Sequence, residues 1–395
     1  MDVKLVTLGE IFKITSGGTP SKSNPKYYEN GDIPWIKTGD LKKIYIEESY
    51  DYITEEAVRN SSAKLFPSKT VLIAMYGATI GATSILKIDA TTNQACAAFL
   101  PVDSVIPEYL YYFFKCNKEK IISLGVGGAQ PNISATILRT IKFPMIKIND
   151  QHRIVNLLNQ AQALIEKRKQ QIETLDQVVK SQFIEMFGDP VSNPKGWGKA
   201  VCKDISSKIG SGATPSGGNS SYKEEGISLI RSMNVHNNKF LYKDLAFIDD
   251  EQAKKLRNVT IEEDDILLNI TGASVARCCI VPNRILPARV NQHVSIIRTK
   301  QDVIKPVFLC YHFTNETYKR MLWNIATSGG ATREAITKQQ VENLEIIMPP
   351  IELQNQFADF VKQIDKLKFE MENSLKELED NFNSLMQRAF KGELF

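Results

Sequence analysis

The chain has 395 residues, 43% of them hydrophobic and 24% charged, with 49 Lys and Arg against 45 Asp and Glu for a formal net charge of +4. That length predicts two or three globular units, and the composition argues against a disordered tail or a polybasic coat. The six cysteines (Cys96, Cys116, Cys202, Cys278, Cys279 and Cys310) form no CxxC pair and have no histidine at metal-ligand spacing, so neither a zinc site nor a disulfide framework is suggested and a reducing cytoplasm fits best.

From the N-terminus, no basic stretch precedes a long apolar core, so a signal peptide is not expected. Residues 1–145 are rich in Gly, Pro, Thr and short apolar runs, which predict strands divided by turns and a short helix at 108–115. The uncharged run 70–86 is broken by Gly77 and Gly81 and falls short of the roughly 20 apolar residues a bilayer needs, so it predicts two buried strands joined at a glycine. Residues 151–187 hold almost no Gly or Pro and predict one long helix. Residues 189–350 return to the turn-rich character, with an apolar run at 266–270, and 353–391 predict a second long helix.

The alternation is a repeat. Ser16-Gly17-Gly18-Thr19-Pro20-Ser21 recurs as Ser211-Gly212-Ala213-Thr214-Pro215-Ser216, and Tyr76-Gly77-Ala78-Thr79-Ile80 answers to Thr271-Gly272-Ala273-Ser274-Val275. Asn93-Gln94 returns as Asn291-Gln292, and Pro107 with Leu110, Tyr112 and Phe114 as Pro306 with Leu309, Tyr311 and Phe313. Collinear pairs at an offset that drifts slowly upwards make accident improbable.

The helices repeat in register. Steps of four and three give the apolar seam Ile154, Leu158, Ile165, Ile172, Leu175 and Val179, interrupted by Arg168. The equivalent steps 203 residues later give Phe357, Val361, Ile364, Met371, Leu375, Leu378, Phe382 and Leu385, interrupted by Lys368. Two such helices need partners along their length and predict an antiparallel coiled coil about a pseudo-twofold axis. The alternative is that each helix folds onto its own domain. The fold class is therefore α+β, with domains at 1–145 and 189–350 and helices at 146–188 and 351–395.

With those features in order, twice over, the chain resembles the specificity subunits of type I restriction-modification systems along essentially its whole length. Further carrying features are the glycine turns at Gly127-Gly128 and Gly329-Gly330, Pro349-Pro350 leading to Gln354, and the ending Arg388-Ala389-Phe390-Lys391-Gly392-Glu393-Leu394. The resemblance implies two target recognition domains that read the halves of a split double-stranded DNA site. It also implies methyltransferase subunits, two of them, that supply S-adenosylmethionine chemistry, and restriction subunits that use ATP and Mg. No cofactor is expected in this chain. The second copy departs from the first where Gly18 becomes Ala213 and Gly81 becomes Ala276.

Charge supports DNA binding only in part. Residues 1–145 carry a net +2, 189–350 a net +4 and 351–395 a net −3, none of which is a strongly basic footprint. Candidate readers are polar and basic residues at the glycine turns: Lys22, Lys37, Thr38, Thr79, Gln130 and Asn132 in the first domain, and Arg231, Asn234, Arg277, Arg289, Thr332 and Arg333 in the second. Asn93-Gln94 and Asn291-Gln292 beside strands are expected to be buried turn hydrogen-bonders. Tyr111 to Phe114 read as core, the four histidines as structural or surface residues, and Asp264-Asp265 as the cap of a strand turn. The halves of the site should lie with centres about one DNA turn, roughly 34 Å, apart.

Rival functions are an enzyme and a coiled-coil scaffold with two ligand-binding domains. The chain lacks GxxxxGK[ST], a GxGxxG opening a helix, HExxH and GxSxG. A scaffold explains the helices but not two similar turn-rich domains. A subunit of a methyltransferase-only system remains a close alternative.

Overall fold

A computed structural model describes residues 3–125, 132–215, 217–328 and 334–394. The chain divides into two compact units, Met1–Lys169 with Asn373–Phe395, and Gln170–Glu372. Each unit is a mixed strand-and-helix body carrying one half of each long helix. Among the described residues no helix is long and apolar enough to cross a membrane.

In the first unit a five-stranded sheet runs in the order Ile14–Ser16, Cys96–Phe99, Val71–Ala74, Thr83–Leu86, Tyr45–Ile46. A second sheet orders Tyr52–Ile53, Ile33–Ile36, Ala90–Thr92, Leu65–Phe66, with Ile33–Ile36 and Ala90–Thr92 parallel. Val71–Ala74 is buried at all four positions, as a continuous apolar run in a strand covered on both faces should be. The run 70–86 is thus two strands, joined by a turn in which Gly77 and Gly81 have φ of 83° and 77°.

The second unit repeats the plan. Ser206–Ser211, Val294–Thr299, Ile266–Asn269 and Cys278–Ile280 form one sheet, and Ala246–Ile248, Ile227–Ile230 and Ala288–Val290 the other, again with one parallel pair. Ala276, which stands where the first copy has Gly81, keeps the left-handed backbone with φ 66°. Asp265 accepts from the Glu262 amide and is gripped by Arg298 through Nε and Nη2, both at 2.8 Å. The turn cap expected there therefore also buries a bidentate ion pair.

The long helices are Ile148–Phe187 and Ile351–Lys391. At about 1.5 Å per residue each is about 60 Å long. Within each unit their segments run antiparallel. Lys169 meets Glu379 at 2.9 Å in the first unit, with Gln162 and Ile165 lining the same groove as Phe382 and Asn383. In the second unit Lys368 reaches Asp176 at 2.5 Å, and Phe183 stacks edge-on to Phe357. Ile154, Leu158, Ile165, Val179, Phe357, Val361 and Phe382 are buried, and Ile172, Leu175, Ile364, Met371, Leu375, Leu378 and Leu385 are half-buried. The half-buried residues cluster towards the helix middles, because two helices alone leave part of a seam open.

The two expectations for the helices are not exclusive, since their ends also dock on the globular bodies. In the first unit Tyr109 and Phe113 pack on Phe390 with Phe143 against both of them, and Tyr112 packs on Phe382. In the second, Phe183, Phe187, Phe308 and Phe357 form one aromatic cluster with centroids 4.8–5.6 Å apart. Tyr109, Tyr112, Phe113 and Phe114 are buried core on the helix Pro107–Cys116, and Pro306–Thr314 is its counterpart.

A buried glutamine ties each body to its helix. Gln151 accepts from the Ile106 amide and donates to the carbonyls of Ser104 and Ile146. Gln354, 203 residues on, accepts from the Lys305 amide and donates to the Pro349 carbonyl. Both are 0% exposed, and each fastens the entry of the Pro107 or Pro306 helix to the start of a long helix.

Candidate nucleic-acid interface

Strand direction gathers the repeated motifs. Ser16 pairs with Ala97 and Cys96 with Ala74 in antiparallel register. The loop after Ser16, the turn before Cys96 and the turn after Ala74 therefore share one end of the sheet. Ile36 lies beside Thr92, and the Asn93 amide donates to the Ile36 carbonyl at 3.0 Å, which brings Lys37 and Thr38 to that end. The Ile133 amide donates to the Met75 carbonyl at 2.8 Å, which adds Asn132. In the second unit Ser211 pairs with Ser295 and Asn269 with Val294, and Asn291 donates to Ile230, so the same loops converge.

Glycine makes the convergence tight. A Cβ on Gly17 would stand 2.0 Å from the Thr92 carbonyl oxygen, and one on Gly212 1.7 Å from that of Val290. No other residue permits such an approach. A Cβ on Gly18 would meet Ser62 at 2.2 Å, whereas its counterpart Ala213 is exposed.

The candidate readers fall into distinct settings. Lys22 and Asn132 are exposed, Thr79 is half-buried in the Gly77–Gly81 turn, and Thr38 opens the short turn Thr38–Asp40. Lys37 lies 5.0 Å over the Trp35 ring and pairs with Asp51 at 2.7 Å, so its charge is partly spent. Arg231, its counterpart, lies over the Tyr222 ring and donates to the Asp244 carbonyl, while its Nε is buried without a partner. Arg277 follows Ala276 in the converging turn and is half-buried. Burial, helped by the Arg277 charge, holds the nearby His236 below the usual imidazole range. Gln130, Thr332 and Arg333, with the Gly127-Gly128 and Gly329-Gly330 turns, lie outside the described residues.

Two candidates are corrected. Asn234 is fully buried, accepts from the Arg231 amide and donates to the carbonyls of Leu241 and Lys243. Its hydrogen-bonding capacity is spent on a turn. Arg289 donates to the carbonyls of Ala253 and Ala288, so its guanidinium is engaged with the backbone, and burial lowers its pKa.

The asparagine-glutamine pairs are corrected in part. Asn291 is buried and Asn93 half-buried, but Gln94 and Gln292 are exposed. The Thr19 hydroxyl donates to Gln94 Oε1, and the Thr214 hydroxyl to Gln292 Oε1. Their signal in the sequence was the joint recurrence of the glycine-threonine-proline and asparagine-glutamine motifs, which only the sheet topology brings together. Amides, hydroxyls and cations at a loop end suit hydrogen bonding to base edges and phosphates rather than proton transfer.

A family model described as the type I restriction modification DNA specificity domain matches residues 1–174 and again 194–380. The MjaIX specificity subunit of a type I restriction enzyme from Methanocaldococcus jannaschii is 28% identical, covering all of this chain and 93% of the relative. The EcoR124I/EcoR124II specificity subunit of Escherichia coli is 36% identical over 168 residues, 41% of this chain and 42% of the relative. A solved chain from work on assembly and conformational transition of the type I restriction-modification system shares the fold. It has a TM-score of 0.67 at 15% identity and covers 99% of this chain and 98% of its own length. Matched twice over most of its length, the chain belongs to the family of type I restriction-modification DNA specificity subunits, the non-catalytic component that sets which sequence such a system acts on.

Proposed function

We propose that the two domains, 1–145 and 189–350, each read one half of an asymmetric, gapped DNA site. The observation that carries this reading is the loop cluster built twice at the same sheet end, with the same Thr–Gln pair and different cations around it. What the copies share suits what any two half-sites share, and what differs suits two different base sequences.

Methylation and cleavage then belong to partner subunits that bring S-adenosylmethionine, ATP and Mg. Leu164 and Leu367 occupy equivalent positions on the two helices and are 56% and 40% exposed. Two matched apolar positions suit two methyltransferase subunits, each docked on one half of the repeat, in the cytoplasm. The modest charge of each domain fits a reader that grips DNA within an assembly, where two tethered weak sites gain avidity.

The test is binding of the intact chain to a DNA library with and without methyltransferase subunits. A gapped motif should emerge with the complex, and weaker or no selection with the chain alone. Enrichment of no motif by the complex contradicts the proposal.

A further inference from the structure

Gln94 and Gln292 are held alike in the two domains. Glycine at each loop start lets the backbone press against the turn carrying the glutamine, one residue out of step between the copies: Gly18 N donates to the Thr92 carbonyl at 2.9 Å, and Gly212 N to that of Asn291 at 3.2 Å. That approach sets Thr19 and Thr214 to donate to the glutamine Oε1 atoms.

A second contact orients each amide. In the first domain the Gln94 amide lies close enough to the Tyr76 hydroxyl to oppose the upward push of burial on that phenol. In the second, Gln292 Nε2 lies 3.3 Å from His293 Nε2, and His293 Nδ1 bonds the Thr271 hydroxyl. Tyr76 and Thr271 are equivalent positions of the repeat, but Tyr76 approaches its glutamine directly and Thr271 acts through His293, which stands where the first copy has Ala95.

The hydrogen-bond accounting then selects a ligand. A glutamine amide has two lone pairs on Oε1 and two N–H groups. The threonine takes one lone pair of each glutamine, and His293 can take one N–H of Gln292. One acceptor and at least one donor remain on each exposed side chain. That pair complements N6–H and N7 on the major-groove edge of adenine. Guanine presents two acceptors there and would set its O6 against Oε1.

We propose that Gln94 and Gln292 are specificity-determining residues, each reading one adenine in the half-site of its own domain. This rests on the two-domain DNA reading proposed above. It goes beyond that reading by assigning one base, in each half, to one side chain.

The experiment uses the chain assembled with its methyltransferase subunits and a randomised duplex library. The wild-type complex should select a gapped motif with an adenine in each half. Gln94→Ala should lower the preference at one A·T pair of one half-site by roughly ten- to a hundredfold and leave the other half unchanged. Gln292→Ala should do the reverse. Gln94→Glu, which can accept but not donate, should move the preference at that position towards cytosine.

Unchanged preferences in the alanine variants overturn the inference, as does uniform weakening across all sequences, which marks a backbone contact. If Gln94→Ala abolishes binding, Gln94→Glu decides, and retained adenine overturns the inference. Absence of any motif from the wild-type complex sinks the underlying DNA reading instead.

Discussion

Gln151 and Gln354 make the sharpest prediction about how the molecule is held together. In Gln354→Ala the Lys305 amide and the Pro349 carbonyl lose a partner at 2.9 Å each, and in Gln151→Ala the Ile106 amide and two carbonyls lose theirs at 2.8–3.0 Å. A buried donor left unpaired costs about 1–3 kcal/mol, and carbonyls somewhat less because they retain a second lone pair. The amides are only partly buried and a water can enter, so each substitution should destabilise its own unit by about 2–3 kcal/mol.

With a urea m-value of about 2 kcal/mol per molar for a body of this size, the midpoint of that unit's transition should fall by about 1 M. Urea unfolding followed by hydrogen exchange resolves the two units. Exchange should quicken at residues 104–107 in the first variant and 304–307 in the second. A midpoint within about 0.2 M of wild type in both variants would refute the reasoning, because it would mean that these glutamines tie nothing together.

Three further outcomes follow from the same structure. Gly212→Ala places a methyl 1.7 Å from a carbonyl oxygen and should cost more than about 2 kcal/mol, whereas Gly210→Ala, with open space around it, should cost far less in the same thermal melts. Ala276→Gly relieves a left-handed alanine and should change stability by between about 0 and +1 kcal/mol, where a clear loss would contradict the backbone reading. His312 is fully buried and burial holds its pKa down at about 3, against about 6.5 unfolded. The unfolded chain therefore binds a proton that the native chain refuses. Stability from this site is full above pH 6.5 and falls with pH below it, by about 2–3 kcal/mol at pH 4.5, a slope that His312→Phe should remove in urea titrations.

What the sequence showed and hid divides along physical lines. The repeat and the helix seams were legible because apolar spacing is written locally, residue by residue, as Ile154, Leu158 and Ile172 against Phe357, Val361 and Leu375 show. The buried strands around Gly77 and Gly81 were legible because an uncharged run broken by glycine has few other solutions. Asn234 and Arg289 were misplaced because a polar residue near a turn looks the same whether it faces solvent or caps the backbone. Gln94 and Gln292 were misread for the converse reason: their partners Thr19 and Thr214 are 75 and 78 residues away, joined only by strand register. Where Ala276 replaces Gly81 in the second copy, the surrounding strands hold the same left-handed conformation.

The central claim is that each domain independently reads one half of a split DNA site. Its most direct test is methylome sequencing of cells carrying this chain with its methyltransferase partners, compared with cells in which residues 1–145 are replaced by the corresponding domain of a relative. The account predicts a gapped methylated motif that keeps one half and its spacing while the other half changes. A motif that survives the exchange intact, or changes in both halves at once, would contradict it.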